Sequence, residues 1–591
     1  KGSRTADHLI IIRFLIDKYV TAGGKKLFAC FFDIRKAFDC VPRCHLFYKL
    51  LKDYKIGGKF LMLLQEIYSK NQVFVKVSEG LCQPFYTTVE VLQGEANSPL
   101  LFNMFINQIS EIFDESCDPV KIYNQNQSCL LWADDLFVVS TSEKGLQNTI
   151  NLVSSFYTSL GLQFNTKKTK ILVFNKSGKV LKGYKFALDG AQLEVVDHYQ
   201  YLGIKLRPSG SLTFAAEELC AKARKAWYSI SNIVYKDKRM PVRRAFHLFD
   251  SLVTPVALYG CEFWFPHILT KSSLGEETKL LSSWEKFKAE TLNQQCCRVL
   301  LSVHRKASRL AVLGDLGRYP LAIKAMALTL NYRLCLASKP ANSLVGLVMS
   351  EMAVMASKGV DCWLTRTEKM ASLLKIPDIR YSKTSGQYVL KKVQGRFDSY
   401  WLDQISSTRV GPDGNQHNKL VTYSSLKGFF GTEPYITMVN NRNQRCHLSR
   451  LRISAHRLGC ELQRYKRPAV PRDKRYCKYC PPVPGPGGEL VRPVDDECHC
   501  LTECIVGQSE RPNLYNSFSS RNSTFQNSCN VRKFKMLVCP SNPTDCKLVS
   551  RFLQKKSFLT RIVWILMTLG FWPCEGLRPI FLTETLGCTP E

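Results

Sequence analysis

The first 207 residues alternate between apolar runs typical of strands and spacings typical of helices. Residues 26–33 (KLFACFFD) form an aromatic-rich apolar run that ends on a charge, which predicts a buried strand. Residues 46–60 have leucines at helical spacing and then a Gly-Gly pair, which predicts a helix that stops there. Residues 72–77 alternate as a strand does, and residues 98–113 predict a long helix opened by a Ser-Pro pair.

Residues 130–139 (LLWADDLFVV) place two adjacent acids inside an apolar run. The pattern predicts two short strands folded about Asp134 and Asp135, a hairpin with both acids at its tip. Asp33 ends the earlier apolar strand, and an unpaired carboxylate in apolar surroundings is costly. Mg²⁺ accepts one or two protein carboxylates together with substrate phosphate oxygens, so it accounts for the three acids. An isolated pair of aspartates is nevertheless more often a surface turn, and the pair alone is weak evidence.

Beyond residue 211 the pattern becomes mainly helical. Apolar residues follow helical spacing from Leu219 to Ile233, and such spacing continues to about residue 400. Residues 411–418 (GPDGNQHN) predict a linker, and residues 440–545 are basic, cysteine-rich and loop-rich. No internal repeat of fixed period is visible.

The apolar run Ile562–Trp572 is about half the roughly 20 residues that a membrane-spanning helix needs. We therefore expect a buried helix or strand there and no membrane span. The chain begins at Lys1 with no export signal, and we expect a piece of a longer protein inside a cell. Reduced thiols are then the expected state of its 24 cysteines, some of them holding metal.

The net charge of the chain indicates which class of partner it binds. The chain of 591 residues has 82 Lys and Arg against 49 Asp and Glu, a formal net charge of +33. Its length predicts three or four folding units. Solvated basic faces would explain any one basic cluster, but the total excess favours a polyanionic partner, either nucleic acid or an acidic membrane surface.

A cysteine–histidine cluster near the carboxy terminus has the spacing of a zinc site. Cys477 and Cys480 form one close pair, and His499 and Cys504 form another after an 18-residue loop. Zinc prefers four tetrahedral nitrogen or sulfur ligands, and the Pro-Gly-rich sequence between the pairs cannot form a core of its own. We expect one structural Zn²⁺, with coincidence in a cysteine-rich chain as the alternative. Two further cysteines flank His499 and could replace a ligand: Cys498 and Cys500.

Five segments in the first 206 residues form an ordered set of motifs. They are FFDIRKAFDCV (31–41), LQGEANSPLLFN (92–103), WADDLFVVS (132–140), GLQFNTKKTK (161–170) and YLGIKL (201–206). Their order is that of the palm motifs of reverse transcriptases, and residues 1–8 (KGSRTADH) are similar to the finger segment before the palm. The chain resembles the reverse transcriptase of a non-LTR retrotransposon of the jockey-like, LINE type, without the first finger motifs and the upstream endonuclease of such elements.

The resemblance implies roles for the acids and one lysine. Asp33 and Asp134 match the principal ligands of two Mg²⁺ ions, with Mn²⁺ as an alternative metal, and Asp135 matches the third acid. Lys168 lies in the segment whose lysine protonates pyrophosphate as a general acid. A solvated basic face is an equally good interpretation of Lys168.

The resemblance also implies a substrate-binding set. Phe38 matches the steric gate that excludes ribonucleotides, although core packing beside Ala37 explains it too. Gln93 and Gly94 match the turn beneath the incoming nucleotide. The primer grip is matched by Tyr201, Leu202 and Gly203.

Three residues depart from the family pattern. Leu92 replaces the usual Arg, Glu95 replaces a small residue or Cys, and Trp132 is bulkier than the usual Tyr. A carboxylate beside a triphosphate would repel it unless Glu95 points away. These departures favour the alternative of a non-catalytic, nucleic-acid-binding remnant. An intron maturase of the same fold is a second alternative.

The carboxy-terminal region resembles the knuckle segment of the same elements. LSRLRISAHRL (448–458) precedes the two cysteine–histidine pairs, as in the family, where this region helps grip RNA or target DNA. Neighbouring basic and aromatic residues suit phosphate contact and base stacking. They are Arg464, Lys466, Arg467, Arg472 and Lys474, with Tyr465 and Tyr476.

Together these observations predict an α+β right-hand polymerase with an antiparallel palm sheet. The expected domains are fingers and palm (1–207), helical thumb (208–330), helical connector (331–440), a basic zinc-knuckle region (441–545) and a tail of unknown role (546–591). The expected reaction is RNA-directed DNA synthesis, primed at the target DNA. Its partners would be an RNA template, a DNA primer or target, and deoxynucleoside triphosphates, in the nucleus for synthesis and in the cytoplasm for RNA-particle assembly. The sequence carries no information on the oligomeric state.

Overall fold

The computed structural model describes most of the chain. Backbone alone is described for residues 465 and 557–568. The described ranges are 4–69, 72–78, 80–87, 89–92, 94–181, 183–377, 385–407, 420–465, 470–484 and 488–568.

The strands are short and mostly lie in the first 206 residues. They are β1 (Leu27–Phe32), β2 (Gln72–Val73), β3 (Lys76–Val77), β4 (Gly80–Leu81), β5 (Phe85–Tyr86), β6 (Val120–Ile122), β7 (Gln125–Gln127), β8 (Cys129–Trp132), β9 (Asp135–Ser140), β10 (Lys170–Phe174), β11 (Phe186–Leu188), β12 (Ala191–Val195), β13 (Tyr199–Tyr201), β14 (Ile204–Leu206), β15 (Val483–Pro484) and β16 (Leu490–Val491).

Helices dominate after residue 212, as the apolar spacing predicts. The α-helices are α1 (Thr5–Leu15), α2 (Arg43–Lys52), α3 (Gly58–Ser69), α4 (Ser98–Ile106), α5 (Glu143–Ser159), α6 (Thr213–Lys236), α7 (Val242–Leu252), α8 (Thr254–Ala257), α9 (Cys261–Ile268), α10 (Glu277–Leu281), α11 (Glu290–Leu301), α12 (Arg309–Leu316), α13 (Leu321–Ala337), α14 (Leu344–Ser357), α15 (Trp363–Leu373), α16 (Ser385–Ser406), α17 (Val421–Leu426), α18 (Pro434–Met438), α19 (Arg442–Arg452), α20 (Gly459–Leu462), α21 (Glu497–Thr502), α22 (Arg511–Ser519), α23 (Asn530–Val538) and α24 (Pro543–Thr568). A π-helix, Ile16–Ala22, continues α1, and short 3₁₀ helices include Asn107–Glu111 and Ser282–Lys286.

A six-stranded sheet organises the amino-terminal part, with strand order β11-β12-β10-β1-β9-β8. Its pairs are antiparallel except for β10 and β12, which run parallel. The α+β class is confirmed, and the sheet is antiparallel as predicted except at this one pair. The segment between β10 and β12 includes β11, and it returns the chain to the sheet in the direction of β10.

Strand β1 lies at the centre of this sheet, and all six of its residues are buried. Phe28, Cys30 and Phe32 belong to the core cluster that includes α4 and α5. Phe31 points to the opposite face, where it stacks on Tyr199 at 4.3 Å. Because both faces are covered, the strand reads as a continuous apolar run rather than an alternating one.

The described chain forms two compact units made of interleaved segments. One comprises residues 1–219, 259–280 and 325–390, and the other comprises the remaining three segments, 220–258, 281–324 and 391–591. The predicted functional boundaries at residues 207, 330, 440 and 545 follow chain order and stay a prediction.

Some predicted element ends were wrong. Helix α2 ends at Lys52, and the second glycine of the pair, Gly58, is instead the first residue of α3. The helix opened by Ser98-Pro99 ends at Ile106 and continues as a 3₁₀ helix. The apolar run 562–572 is helical as far as Thr568; its last residues and the linker 411–418 lie outside the described residues. Among the described helices, none is long and apolar enough to span a bilayer.

Candidate active site

Asp134 and Asp135 lie at the tip of the β8–β9 hairpin, as the sequence predicts. Trp132 pairs with Asp135, so Ala133 and Asp134 form a two-residue turn. Ala133 has a φ of +52°, a conformation that tight hairpin turns require and that is costly for a residue other than glycine. Both aspartates are exposed, so the hairpin presents them to solvent instead of burying them in the apolar run.

Asp33 lies beside this tip because β1 and β9 are paired. Phe32 pairs with Leu136 in antiparallel register. Asp33 directly follows Phe32 and Asp135 directly precedes Leu136, so the two acids lie at the same end of the paired segment. The charge of Asp33 acts on Asp135 at this end. The sheet therefore brings together acids that are about 100 residues apart in the sequence.

The charges of these acids overlap. Partial burial, together with the negative charges of Asp134 and Asp33, raises the pKa of Asp135. Burial and the charges of Asp135 and Asp33 raise the pKa of Tyr199 to about 12. Clustered carboxylates are the donor set that Mg²⁺ and Mn²⁺ prefer, and a cation would relieve their repulsion.

The three aspartates are more loosely arranged than a closed metal cage. They are not among the groups of described residues whose ligand atoms all lie within 4.8 Å of one another. This spacing suits Mg²⁺, which takes few protein carboxylates and completes its shell with water and substrate oxygens.

The loop that contains Lys168 is bonded to Asp33. Asn165 donates its backbone N–H to the Asp33 carbonyl at 2.8 Å, and the Thr169 hydroxyl accepts the Asp33 N–H at 3.2 Å. Lys168 Nζ lies 3.8 Å from Asp33 Oδ2, and its side chain is 70% exposed. An ion pair this exposed adds little stability, so the lysine is free to move toward a ligand.

Phe38 is half-buried between the core and the surface. Its ring stacks on Phe102 of α4 at 4.9 Å, and its carbonyl accepts the Val91 N–H at 2.8 Å. One face of the ring is thus held by packing while part of the side chain stays accessible. The arrangement accommodates both the packing role and the predicted steric gate.

The segment predicted to lie beneath the nucleotide is partly described. Gly94 has a φ of +87°, and a Cβ atom there would have no neighbour within 4 Å. Gln93 lies outside the described residues. The Glu95 carboxylate accepts a hydrogen bond of 3.3 Å from the hydroxyl of Tyr68 on α3, so Glu95 has a partner within the protein.

The YLG segment forms the tight turn of the β13–β14 hairpin. Leu202 and Gly203 both have positive φ, +46° and +80°. A Cβ at Gly203 would lie 2.8 Å from Cε1 of Tyr259, whose hydroxyl donates to the Leu202 carbonyl at 3.1 Å. The Tyr201 ring is 2% exposed and packs on Phe31, so contact with substrate would fall to the turn.

Two residues of this region, Tyr199 and His8, were not predicted as site residues from the sequence. Tyr199 stacks on Phe31, and its position two residues before Tyr201 is the signal that both share one face of the strand. His8 is buried, with its ring edge-on to Trp132 at 5.3 Å, and burial lowers its pKa to about 4. The bulky Trp132 therefore packs against a neutral imidazole.

The cysteine–histidine cluster is assembled in the structure. The ligand atoms of Cys477, Cys480, His499 and Cys504 all lie within 4.8 Å of one another, and the four residues are buried. Cys480 Sγ is 3.3 Å from His499 Nε2. A hydrogen bond from Cys477 is the main cause that lowers the pKa of the Cys504 thiol, which favours the thiolate that binds metal.

The neighbouring cysteines do not join this cluster. The Cys498 thiol lies 3.8 Å from the Asn530 carbonyl, and Cys500 is outside the four-residue group. Glu503 Oε2 lies 3.4 Å from His499 Nδ1, the position from which a carboxylate orients a metal-binding imidazole. The donor set fits zinc.

The basic residues near this cluster have mixed environments. Arg452, in the segment 448–458, is buried and contacts Glu433 at 2.6 Å and Asp315 at 3.3 Å, so it stabilises the fold. Arg472 lies 3.4 Å from Glu497, whereas Lys474 and Tyr476 are exposed. Lys466 and Arg467 lie outside the described residues, as does the side chain of Tyr465.

Comparison with known proteins shows a reverse transcriptase domain. Residues 2–206 match the reverse transcriptase (RNA-dependent DNA polymerase) family. The Pol polyprotein of the retrotransposable element R2DM of Drosophila melanogaster is 23% identical over 206 residues, 33% of this chain and 19% of the relative. A putative transposon-derived protein of Caenorhabditis elegans is 29% identical over 154 residues, 24% of this chain and 51% of the relative.

The chain thus spans about a fifth of the first relative and about half of the second. The resemblance to a non-LTR retrotransposon reverse transcriptase is confirmed. The structure of apo telomerase from Candida tropicalis is similar at a TM-score of 0.29 and 10% identity, covering 58% of this chain and 56% of that chain.

Proposed function

We propose that this chain is an RNA-directed DNA polymerase that extends a DNA primer on an RNA template, within the target-primed cycle of a retrotransposon. One observation supports the proposal: Asp33 and Asp135 adjoin the last pair of the β1–β9 register, Phe32 and Leu136, at the hairpin tip that also holds Asp134. This convergence lies inside the reverse transcriptase domain. An aspartate cluster of this kind serves nucleotidyl transfer in a two-metal site.

Asp33 and Asp134 would hold Mg²⁺, with Asp135 beside them. When bound, the divalent ions supply charge that activates the primer hydroxyl and stabilises the pyrophosphate leaving group. Lys168, on an exposed arm next to Asp33, would donate a proton to that pyrophosphate.

Phe38, held on Phe102, would set the choice of deoxynucleotides by excluding a 2′-hydroxyl. The Leu202–Gly203 turn would position the primer strand, with Tyr259 supporting the turn from behind. Glu95 is bonded to Tyr68, so the predicted repulsion of the triphosphate is not inevitable.

The carboxy-terminal cluster would hold one structural Zn²⁺ through Cys477, Cys480, His499 and Cys504. Metal-ordered loops with exposed basic and aromatic neighbours suit contact with RNA or target DNA. In this proposal synthesis takes place in the nucleus and RNA-particle assembly takes place in the cytoplasm.

Primer extension tests the proposal. The chain is given poly(rA)/oligo(dT), thymidine triphosphate and Mg²⁺, and Asp134→Asn is compared with the wild type. We expect a loss of activity of at least about 10³-fold, because a charged ligand is removed without a change of shape. Asp189→Asn is the control, since Asp189 also lies in a two-residue hairpin turn, between β11 and β12.

If the wild type incorporates no more nucleotide than Asp134→Asn does, the chain is not a polymerase. The alternative, a non-catalytic protein that binds nucleic acid, would then hold. A preference for DNA over RNA as the template would instead reject the choice of reaction.

A further inference from the structure

A basic cavity lies in the second compact unit. It has a volume of about 990 Å³. Its lining comes from the end of α6, the 3₁₀ helix Ser282–Lys286, α11, the segment from α11 to the first residue of α12, and α19. This volume is at the upper end of the range of ligand-binding pockets. Its cationic residues are Lys238, Arg298, Arg305, Arg309, Arg442 and Arg450.

The positive charge of the basic cavity is poorly balanced. Its acidic lining residues are Glu285 and Glu290. The buried Glu290 carboxylate already accepts hydrogen bonds from Asn293, Gln294 and the Leu321 N–H. The lining therefore has six cationic residues and two acidic ones, and one of the acids, Glu290, already accepts three hydrogen bonds within the protein.

Three of the arginines donate to backbone carbonyls: Arg442 to Val234 at 3.0 Å, Arg450 to Ser302 at 2.8 Å, and Arg309, through Nη1, to Glu285 at 3.2 Å. These bonds fix the wall of the cavity. Arg298, Arg305 and Arg309 lie close enough that the charges of Arg309 and Arg305 add to burial in lowering the pKa of Arg298. Arg305 and Arg309 are exposed. Like charges held together in this way favour an anion between them.

An aromatic ring adds to the recognition surface. Tyr235 lines the basic cavity and is 65% exposed. The guanidinium carbon of Arg442 lies 5.4 Å from its ring centre, so one side of the ring is supported and much of its surface is open. Exposed rings next to clustered arginines suit a strand with bases as well as phosphates.

We propose that the basic cavity binds the phosphate backbone of single-stranded nucleic acid, with a base stacked on Tyr235. Arg305 and Arg309 contact phosphates, while Arg442 and Arg450 hold the wall. The inference rests on the proposed function for the source of the strand, which is the RNA template or the displaced DNA. It adds a nucleic-acid site made of residues to which the proposed function assigns no role.

The test measures the affinity of the full chain for labelled oligouridylate and oligothymidylate of about 12 nucleotides. Binding is followed by fluorescence anisotropy in EDTA, so that polymerase chemistry does not take part. Arg305→Gln combined with Arg309→Gln should weaken binding about tenfold. In this variant the slope of log affinity against log salt concentration should also become less steep by about 1.4. This is the value expected for the loss of two phosphate contacts on a single strand.

The matched control removes the same charge next to the cavity. Lys286→Gln combined with Lys306→Gln changes two exposed lysines that do not line it. We expect this control to bind within about twofold of the wild type. Equal losses in the two double variants, or an unchanged salt slope in the arginine variant, would overturn the proposal.

A second pair of variants tests the stacking. Tyr235→Leu should weaken binding about tenfold, in line with stacking of one base. Tyr228→Leu, on the same helix and 60% exposed, should not. Stronger binding of one oligonucleotide identifies the source as RNA or DNA, whereas equal effects of the two tyrosine changes would contradict the stacked arrangement.

These measurements separate the two proposals. A chain that extends no primer but shows the expected affinity differences rejects polymerase activity and keeps the basic cavity. A chain that extends primers but shows no such differences rejects the cavity alone.

Discussion

Asp33, Asp134 and Asp135 place three negative charges at the ends of paired strands. Partial burial and then the charges of Asp134 and Asp33 raise the pKa of Asp135, so a bound cation would stabilise the ionised cluster. Neighbouring residues are held by packing, as Phe38 is on Phe102. At this scale, function depends on side chains whose positions are set by the core.

Phe38→Val should relax discrimination between deoxynucleotides and ribonucleotides. Removing the ring opens space for a 2′-hydroxyl, so the ratio of kcat/KM values for deoxynucleotide over ribonucleotide should fall by about tenfold or more. Single-nucleotide incorporation kinetics measure this ratio. Phe47→Val is the control, because Phe47 packs on the same core and is also partly buried. An unchanged ratio in Phe38→Val would leave Phe38 with its packing role alone.

Glu290 should make the stability of its unit depend on pH. Burial raises its pKa from 4.5 to about 7, so the folded state keeps a proton that the unfolded state releases. The contribution of Glu290 to the free energy of unfolding is therefore complete below pH 4.5. As the pH rises to about 7 this contribution is lost, a decrease of about 3 kcal/mol in total. Chemical unfolding of wild type and Glu290→Gln across this range should show the loss in the wild type only. Glu285→Gln, at an exposed position, should keep the wild-type dependence.

Hairpins position the candidate site at the scale of elements. The β8–β9 hairpin carries two of the acids, and the β13–β14 hairpin packs its tyrosines beneath the same sheet. Each has a two-residue turn with positive φ, the geometry that matches the twist of paired strands. The turns therefore have to be tight for the site to form.

Gly203→Ala should destabilise the β13–β14 turn by more than the cost of placing alanine at a positive φ. Gly190 is the control, since its φ of +77° is close to +80° and a Cβ there has no neighbour within 4 Å. The Gly203 Cβ would meet Tyr259, so Gly203→Ala should lower the free energy of unfolding by about 1–3 kcal/mol more than Gly190→Ala. Denaturant unfolding measures both. Equal losses would show that Tyr259 moves aside at no cost.

The zinc cluster should order its own segment. Metal analysis should find about one zinc per chain in the wild type and almost none in Cys477→Ser combined with Cys480→Ser. The double variant should also be cleaved faster by protease between residues 477 and 504, because this loop lacks a core of its own. Cys498→Ser should keep its zinc, since that thiol lies outside the cluster. Zinc that persists in the double variant would place the metal elsewhere.

The charge of the whole molecule governs its encounter with nucleic acid. An excess of +33 spread along the chain raises affinity for any polyanion, whatever the detailed site. Part of this charge is structural, as the buried Arg452 shows with its acidic partners. The exposed remainder is available to phosphates.

Binding of the full chain to a primer–template should therefore be strongly salt-dependent. Between about 50 and 200 mM salt the affinity should fall by about 10³-fold, as expected when several phosphate contacts release counterions. Filter binding or anisotropy measures the change. A fall of less than about tenfold would mean that few of the cationic groups touch the backbone.

The order of the motifs was enough to predict the similarity to reverse transcriptases. The apolar run closed by Asp33 and the hairpin about Asp134 were predictable because both depend on local periodicity. The ends of the helices and strands were less predictable. For example, α4 changes to a 3₁₀ helix after Ile106, where no glycine or proline marks the change. The spacing of Cys477, Cys480, His499 and Cys504 likewise identified the cluster before its geometry was known.

Only the tertiary structure decided which distant residues meet. The β1–β9 register brings Asp33 to Asp135, His8 meets Trp132, and Cys498 is excluded from the metal cluster. The basic cavity draws its residues from segments more than 200 positions apart, so no local pattern could predict it. Periodicity and spacing act between neighbours in the chain, whereas packing pairs surfaces regardless of their separation in sequence.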